Sequence, residues 1–513
     1  MSEPTQPADD RRPWAWALGL VGLLTLVRLW AIFATPLELY PDEAQYWLWS
    51  RVLDFGYFSK PPMIAWLIAA TTAIGGDTEP WVRLSAPLLN AATALLIFAV
   101  GRRLYGAWVG LAACAVYSLM PGVQLSSWAI ATDAPLLTFS ALALLAYVEM
   151  VHAASPRRGI AWAAALGAAM GLAFLSKYAA AYALAGLLLH AMISQAARRA
   201  WSPGRLAAVA GVTAAVVAPN LAWNAAHHFA TFAHTAANAN WHDGHWFNPL
   251  SLGRFLGAQF GVFGPIPFAV LALGLAAPRF RGPLREEDRL LLCFTLPALV
   301  AVSVQALLSR ANANLAAAAY VPGSVLVAAG LLRRGEKGWL AAGLGLQVLL
   351  LALFATVAVW PSTADRLGLA NGLKRARGWS PTVAAIVERA GREPSLSAVA
   401  VDDRFLFNEA AYYGRTFFSH PGTPPLKVWV RGAHPENQAE LAAPLTAALG
   451  GRVLGVSLRP EHRAQMQGDF GKVGGIQILT VSLDAKHQRR ADLFIGEGFA
   501  PRSRSGPDDP DEP

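Results

Sequence analysis

The sequence predicts an α-helical polytopic membrane protein of about eleven spans, closed by a small C-terminal α/β domain outside the cytoplasm. Three observations predict it. Of 513 residues, 55% are hydrophobic and only 15% are charged. Apolar runs near the roughly 20 residues that a spanning helix needs recur from Trp14 to Trp360. Beyond Pro361 the chain becomes less apolar, and valine- and leucine-rich segments of strand length take over.

Residues 1–13 precede the first run and carry Arg11-Arg12. The run 14–34 is as long as a full span with no small-residue cleavage site after it, so it reads as a span rather than a secretory signal. Further spans are expected near 81–101, 107–127, 134–152, 160–176, 179–196, 205–223, 254–276, 290–308, 315–332 and 338–360. The segment 62–74 is apolar but short and follows two prolines, which suits an interfacial or re-entrant helix. Residues 14–360 thus form one transmembrane domain, with 35–80 as its first outer loop.

Arg11-Arg12, Arg102-Arg103, Arg157-Arg158, Arg198-Arg199, the stretch Arg279 to Arg289, and Arg333-Arg334 with Lys337 fall in alternate connections. The positive-inside rule makes that side cytoplasmic. Loops 35–80, 128–133, 177–178, 224–253 and 309–314, with the C-terminal domain, then lie opposite. The formal charge of +9 reads as these topology signals, not as a nucleic-acid surface. Cys114 and Cys293 lie inside apolar runs and leave no disulfide framework.

The C-terminal domain, 361–498, reads as α/β. "LSAVAVDD", "LKVWV", "RVLGVSL" and "GIQILTVSL" are strand-like, and "NQAELAAPLTAALG" has helical spacing and a terminal glycine. The proline-rich, charged residues 499–513 are expected to be disordered.

Polar chemistry gathers on the outer side. Asp42 and Glu43 follow the first span among Tyr40, Tyr46, Trp47 and Trp49, residue types that settle at a membrane interface. They read either as the charged start of a helix, with Pro41 in its first turn, or as carboxylates held at head-group depth. Asp133 in "SSWAIATDAPLL" reads as a helix cap or as a second acid. Lys60 in "GYFSKPP" sits in a stiff loop and either snorkels or meets an anion, with Tyr57 beside it as a further substrate-binding candidate. Lys177, followed by Tyr178, and Arg310 are cations at helix ends that read either as membrane anchors or, since with Lys60 they run against the charge trend, as contacts for a bound anion. Arg28 lies inside the first span, where an ionisable residue needs the interface or an internal partner.

The stretch "WNAAHHFATFAHTAANANWHDGHW" holds five histidines but matches no compact zinc spacing, and its amides, imidazoles and tryptophans suit a sugar. Asn312 and Asn314 in "SRANANLAAAAY" form a similar polar rim. No Walker-type glycine loop is present, so no nucleotide cofactor is expected. No metal is assigned.

"PDEAQYW", "YFSKPP", "ATDAP", "LSKY" and "RANANLAAAAY", in this order and on one side, resemble the polytopic glycosyltransferases that use polyprenyl-phosphate sugars. That family includes protein O-mannosyltransferases and bacterial lipid A aminoarabinose and galacturonic acid transferases. The resemblance covers most of 14–360 and implies a GT-C-type fold. It implies that Asp42 is the catalytic acid of the first outer loop, with Glu43 its neighbour and Asp133 a second acidic residue. It implies that Lys60 binds the lipid-linked phosphate, and that Lys177, Tyr178 and Arg310 help bind substrate. The aminoarabinose transferases have an acidic residue before the lysine, where this chain has Ser59.

The implied reaction is inverting transfer of a sugar from a polyprenyl-phosphate donor to a glycolipid, lipopolysaccharide or protein acceptor at the outer face of a bacterial inner membrane. The residues fit it: one carboxylate suffices as base, and a departing phosphate needs a cation rather than a proton. The partners expected are that donor, that acceptor and membrane lipids, without nucleic acid. The rival class is a transporter or lipid flippase, which would be expected to show midplane broken helices in repeated halves.

Overall fold

A computed structural model of the chain describes residues 11–237, 247–277, 282–432 and 434–502. Among these described residues, eight helices are long and apolar enough to cross a membrane: Arg11–Ala34, Glu79–Tyr105, Asp133–Val151, Pro156–Ser176, Pro203–Ala226, Glu286–Leu308, Ala313–Arg333 and Lys337–Val359. Ala107–Leu119, Tyr178–Ile193 and Pro265–Ala276 are shorter apolar helices on three further expected spans, and Met63–Gly75 is the short helix after the prolines. The chain is an α-helical polytopic membrane protein with a small C-terminal sheet domain.

Two expected spans are interrupted, and the sequence explains both. Pro121 has no amide to donate, and the helix Ala107–Leu119 stops just before it. Gly264, at φ +100°, and Pro265 separate Pro249–Val262 from Pro265–Ala276. A break inside a membrane leaves backbone carbonyls that must find protein partners. Gln347 Nε2 donates to Phe263 O (3.0 Å) at the second break. At the first, Ser118 O accepts from Gln124 Nε2 (2.8 Å) and from the Arg28 guanidinium. Arg28, buried in the first span, thus has an internal partner: it caps the negative end of a broken helix. Elsewhere the helices approach through small residues. A Cβ added to Gly101 would lie 2.8 Å from the Gly110 backbone.

The chain divides into two compact units. The helical unit contains residues 1–34, 54–56 and 60–358. The second contains 359–513 together with 35–53 and 57–59, so most of the first half of the 35–80 loop is built into the C-terminal domain.

The second unit carries a six-stranded sheet: β1 (Ala398–Val401), β2 (Leu426–Val428), β3 (Arg452–Ser457), β4 (Phe470–Val473), β5 (Gln477–Ser482) and β6 (Gln488–Phe499). The order is β2-β1-β3-β6-β4, with β5 also on β6. β2, β1 and β3 are parallel, and β6 is antiparallel to β3, β4 and β5. Every residue of β1 is buried, because both sheet faces are covered. Val399, Val401, Leu454 and Val456 face one core with Trp379 and Leu406, while Ala398, Ala400 and Val453 face another with Trp429 and Met466. Helices Trp379–Arg392 and Arg404–Tyr413 cover the first face.

Directly after β1, the buried Asp402 carboxylate accepts from Ser457 Oγ and from Leu458 N (3.1 Å), joining the ends of β1 and β3. His462 Nδ1 lies 3.8 Å away. Burial pushes the Asp402 carboxyl up to about 7.

The four quoted strand segments are strands, but β4 and β6 were not expected. The single helix expected over 437–450 is instead Gln438–Ala442 and a 3-10 turn, Ala447–Leu449, with Pro444 between them. β6 runs to Phe499; residues 503–513, expected to be disordered, and 1–10 lie outside the described residues.

Candidate active site

Asp42 and Glu43 stand at the start of the helix Pro41–Ser50. Pro41 supplies a first-turn residue that needs no amide partner. Glu43 is buried, and its Oε2 accepts from Tyr40 N (2.9 Å), the reciprocal half of a capping box. Asp42 is exposed, and its carboxylate has no hydrogen bond or ion pair among the described residues. The two neighbouring acids therefore differ in their surroundings: Glu43 holds the helix start, and Asp42 is exposed.

Tyr57 is buried in the second unit. Its ring stacks on Trp49 at 4.6 Å, and its hydroxyl lies 3.0 Å from both Trp49 O and Val52 O. This accounts for the phenol through packing.

In the helical unit, Lys60 is half-buried in a bend just before Pro61-Pro62, and Pro62 begins the helix Met63–Gly75. Pro61 lacks an amide and restricts the backbone of Lys60 to extended conformations, which stiffens the approach to this cation.

Asp133, Lys177 and Asn314 converge. Asp133 is the first residue of Asp133–Val151, and Lys177 follows the last residue of Pro156–Ser176 in extended conformation. Lys177 Nζ donates to Asp133 Oδ1 at 2.8 Å, and Asn314 Nδ2 donates to Asp133 Oδ2 at 3.0 Å. The Asp133 and Lys177 side chains are 13% and 18% exposed, so the pair is only partly screened. A charge-assisted hydrogen bond of this kind is worth about 1.5–3 kcal/mol. Asp133 does not cap its helix through its side chain. It holds a lysine that stands at a helix break.

Tyr178, next in sequence, joins a second network. Its hydroxyl donates to Asn220 Oδ1 (3.1 Å) and accepts from Asn224 Nδ2 (3.2 Å), and its ring stacks on Phe232. Asn220 Nδ2 reaches Phe55 O (2.6 Å), and Trp223 Nε1 reaches Asp54 Oδ2 (2.7 Å). Trp223 also leaves no room for a side chain at residue 56, since a Cβ on Gly56 would lie 2.3 Å from its ring. One helical end thus fixes the loop 54–56, four residues ahead of Lys60. Sequence reasoning missed Asp54, Asn220, Trp223 and Asn224. The signal was present: 220, 223 and 224 follow the i, i+3, i+4 spacing of one helix face.

Arg310 and Asn312 are exposed, and Asn312 precedes the 3-10 helix Ala313–Ala319. Of the five histidines, His227, His228 and His234 are described, while His242 and His245 lie outside the described residues. His227 stacks on Trp223 at 4.0 Å, and its Nδ1 bonds Trp223 O. Among the described residues, no group of three His, Cys, Asp or Glu gathers as a metal site. An apolar cavity of about 450 Å³ touches none of the candidate residues. It lies at the Arg333 end of Tyr320–Arg333, away from the Asn314 end.

The family model of dolichyl-phosphate-mannose-protein mannosyltransferases matches residues 59–223. The lipid A galacturonosyltransferase of Rhizobium johnstonii is 36% identical over 390 residues, covering 73% of this chain and 77% of that protein. The undecaprenyl phosphate-alpha-4-amino-4-deoxy-L-arabinose arabinosyl transferase 2 of Sodalis glossinidius is 28% identical over 31% of each chain. In structure, apo ArnT from Cupriavidus metallidurans superposes with a TM-score of 0.63 at 17% identity, covering 93% of this chain and 98% of that one.

Proposed function

Because this chain belongs to the membrane glycosyltransferase family of the Rhizobium johnstonii lipid A galacturonosyltransferase, we propose that it moves a sugar from a polyprenyl-phosphate carrier to a lipid A-type glycolipid. The observation that carries the reading is that relationship, 36% identity over most of both chains. A galacturonyl donor is the first substrate to test, with 4-amino-4-deoxy-L-arabinose as the contrast suggested by the second relative. The reaction is assigned to the outer face of the inner membrane, a placement supported by the arginine clusters in alternate connections.

In this reading Asp42 is the general base. It takes the proton of the acceptor hydroxyl as the hydroxyl oxygen bonds the anomeric carbon. The bond from that carbon to the phosphate oxygen breaks on the opposite side, which inverts the centre. The polyprenyl phosphate leaves with the electron pair, and Lys60 offsets the charge that grows on it. Lys177, held by Asp133 and Asn314, together with Tyr178 and Arg310, is assigned to substrate binding in the helical unit. The exposure of Asp42, beside a Glu43 already used in the helix start, supports giving the proton to Asp42.

The test is purified protein in lipid with a polyprenyl-phosphate galacturonic acid donor and a lipid A acceptor. Asp42→Asn keeps the shape and removes basicity, and lowers turnover roughly 100-fold or more while donor binding persists. Lys60→Ala weakens donor binding instead. Near-normal turnover in Asp42→Asn refutes the base assignment and passes it to Asp133.

A further inference from the structure

The segment that bears Asp42 is built into the C-terminal domain along its whole length. Glu38 N donates to Ala376 O at 3.0 Å. The Glu38 carboxylate accepts from Trp379 N (2.5 Å) and Ser380 N (2.9 Å). These are the first amides of the helix Trp379–Arg392, whose own N-cap, Gly378, offers no side chain. A carboxylate from 341 residues earlier therefore caps that helix and meets its positive end. Leu39 is fully buried, and its amide donates to Tyr413 Oη (2.9 Å). Tyr40 Oη donates to Gly372 O (2.8 Å). On the far side of Asp42, Trp47 meets the edge of Tyr412 at 4.9 Å, and Leu48 packs into the core formed by Trp379, Ile386 and Leu406. The helix Pro41–Ser50 lies on the helix Arg404–Tyr413 over this length.

We infer that the C-terminal domain sets the position of the Asp42 carboxylate, with Glu38 and Tyr413 as positioning residues, an inference that rests on reading Asp42 as the base. Three consecutive residues, 38 to 40, each hydrogen-bond to the domain, and Asp42 follows two residues later on a helix whose start is fixed by Glu43. This leaves the exposed carboxylate with little freedom beyond its own rotamers. A displaced general base loses rate steeply, because proton transfer demands hydrogen-bond geometry, and an error near 1 Å costs on the order of 100-fold. Neither Glu38 nor Tyr413 need touch substrate for this effect.

The test is a double-mutant cycle on the full-length protein. Tyr413→Phe removes the acceptor for Leu39 N and keeps the ring. Glu38→Ala removes both cap bonds, while Glu38→Gln keeps one carbonyl acceptor. In the native background, Tyr413→Phe and Glu38→Ala lower kcat about 10- to 100-fold with donor KM little changed, and Glu38→Gln lies between Glu38→Ala and the parent. In the Asp42→Asn background, the same changes cost less than about two-fold, because the group they position is gone. Hydrogen exchange over residues 36–50 rises in Tyr413→Phe while the thermal midpoint holds, which also reports the displacement where residual activity is too low to measure. Equal losses in both backgrounds, unaltered kcat, or unchanged exchange over 36–50 overturns the inference. Normal turnover in Asp42→Asn alone overturns the base assignment instead, so the two failures are distinct.

Discussion

Replacing Asp402 by asparagine removes a pH dependence from the C-terminal domain. Burial raises this carboxyl from 3.8 to about 7, while Ser457 Oγ and Leu458 N, which favour its charged form, offset only part of that rise. The neighbouring Asp403 adds to the rise, and His462 Nδ1 lies 3.8 Å away. In the unfolded chain the same group titrates near 4. Between these values the folded domain binds the proton that the unfolded chain has released, so stability falls as pH rises. The contribution is fully present below about pH 4, declines by ~1.3 kcal/mol per pH unit through pH 5–6, and is gone above about pH 8, a total of roughly 4 kcal/mol. A carboxamide in its place has no such proton to lose, so D402N flattens this component. The assay is amide hydrogen exchange of β1 and β3 in the full-length protein, corrected for intrinsic rates, from pH 5 to pH 8. The difference in opening free energy between D402N and the parent grows by a few kcal/mol across that range. A difference that stays constant, or that shrinks with rising pH, refutes the reasoning.

Three further outcomes are expected. Asp133→Ala and Lys177→Ala each lower turnover, and the double variant is no worse than the poorer single one, because the two act as one pair with a coupling of about 1–3 kcal/mol; additive losses in a cycle of kcat/KM would separate them. Treatment with EDTA leaves turnover unchanged if the stretch 227–245 contacts sugar rather than metal; loss restored by one divalent ion would contradict this. A reporter active only in the periplasm, fused after Pro361, is active, and activity of a cytoplasmic reporter at that point would reverse the orientation drawn from the arginine clusters.

Much of the fold was legible because hydropathy is local. Each apolar run from Trp14 to Trp360 carries its own evidence, and the helix Pro41–Ser50 shows its start through Pro41 and Glu43. The breaks at Pro121 and Gly264-Pro265 were local too, but apolar residues continue across them and hide them from a window of span length. β6 was missed for the opposite reason. Arg489, Arg490 and Asp492 make it look like a polar loop, although it joins β3, β4 and β5. At the site, residue types near the expected helix ends pointed to Asp133, Lys177 and Asn314, and their meeting is set by tertiary packing across 44 and 181 residues of sequence. Asp54 with Trp223, and Glu38 with Trp379, join segments 169 and 341 residues apart. No periodicity marks such pairs, since each partner alone is an ordinary loop or helix residue.

The span of 341 residues between Glu38 and Trp379 has a consequence in time. A ribosome adds about 5–20 residues per second, so Glu38 is made roughly 17–70 seconds before the amides it caps. Tyr413 and the strands behind it come later still. Throughout that interval the acid-bearing helix is without its seat, and no shortened chain that stops within the membrane region can supply one. A chain that stops within the membrane region therefore carries Asp42 on a helix whose preceding residues lack their Trp379, Ser380 and Tyr413 partners, even when it is already inserted in the bilayer.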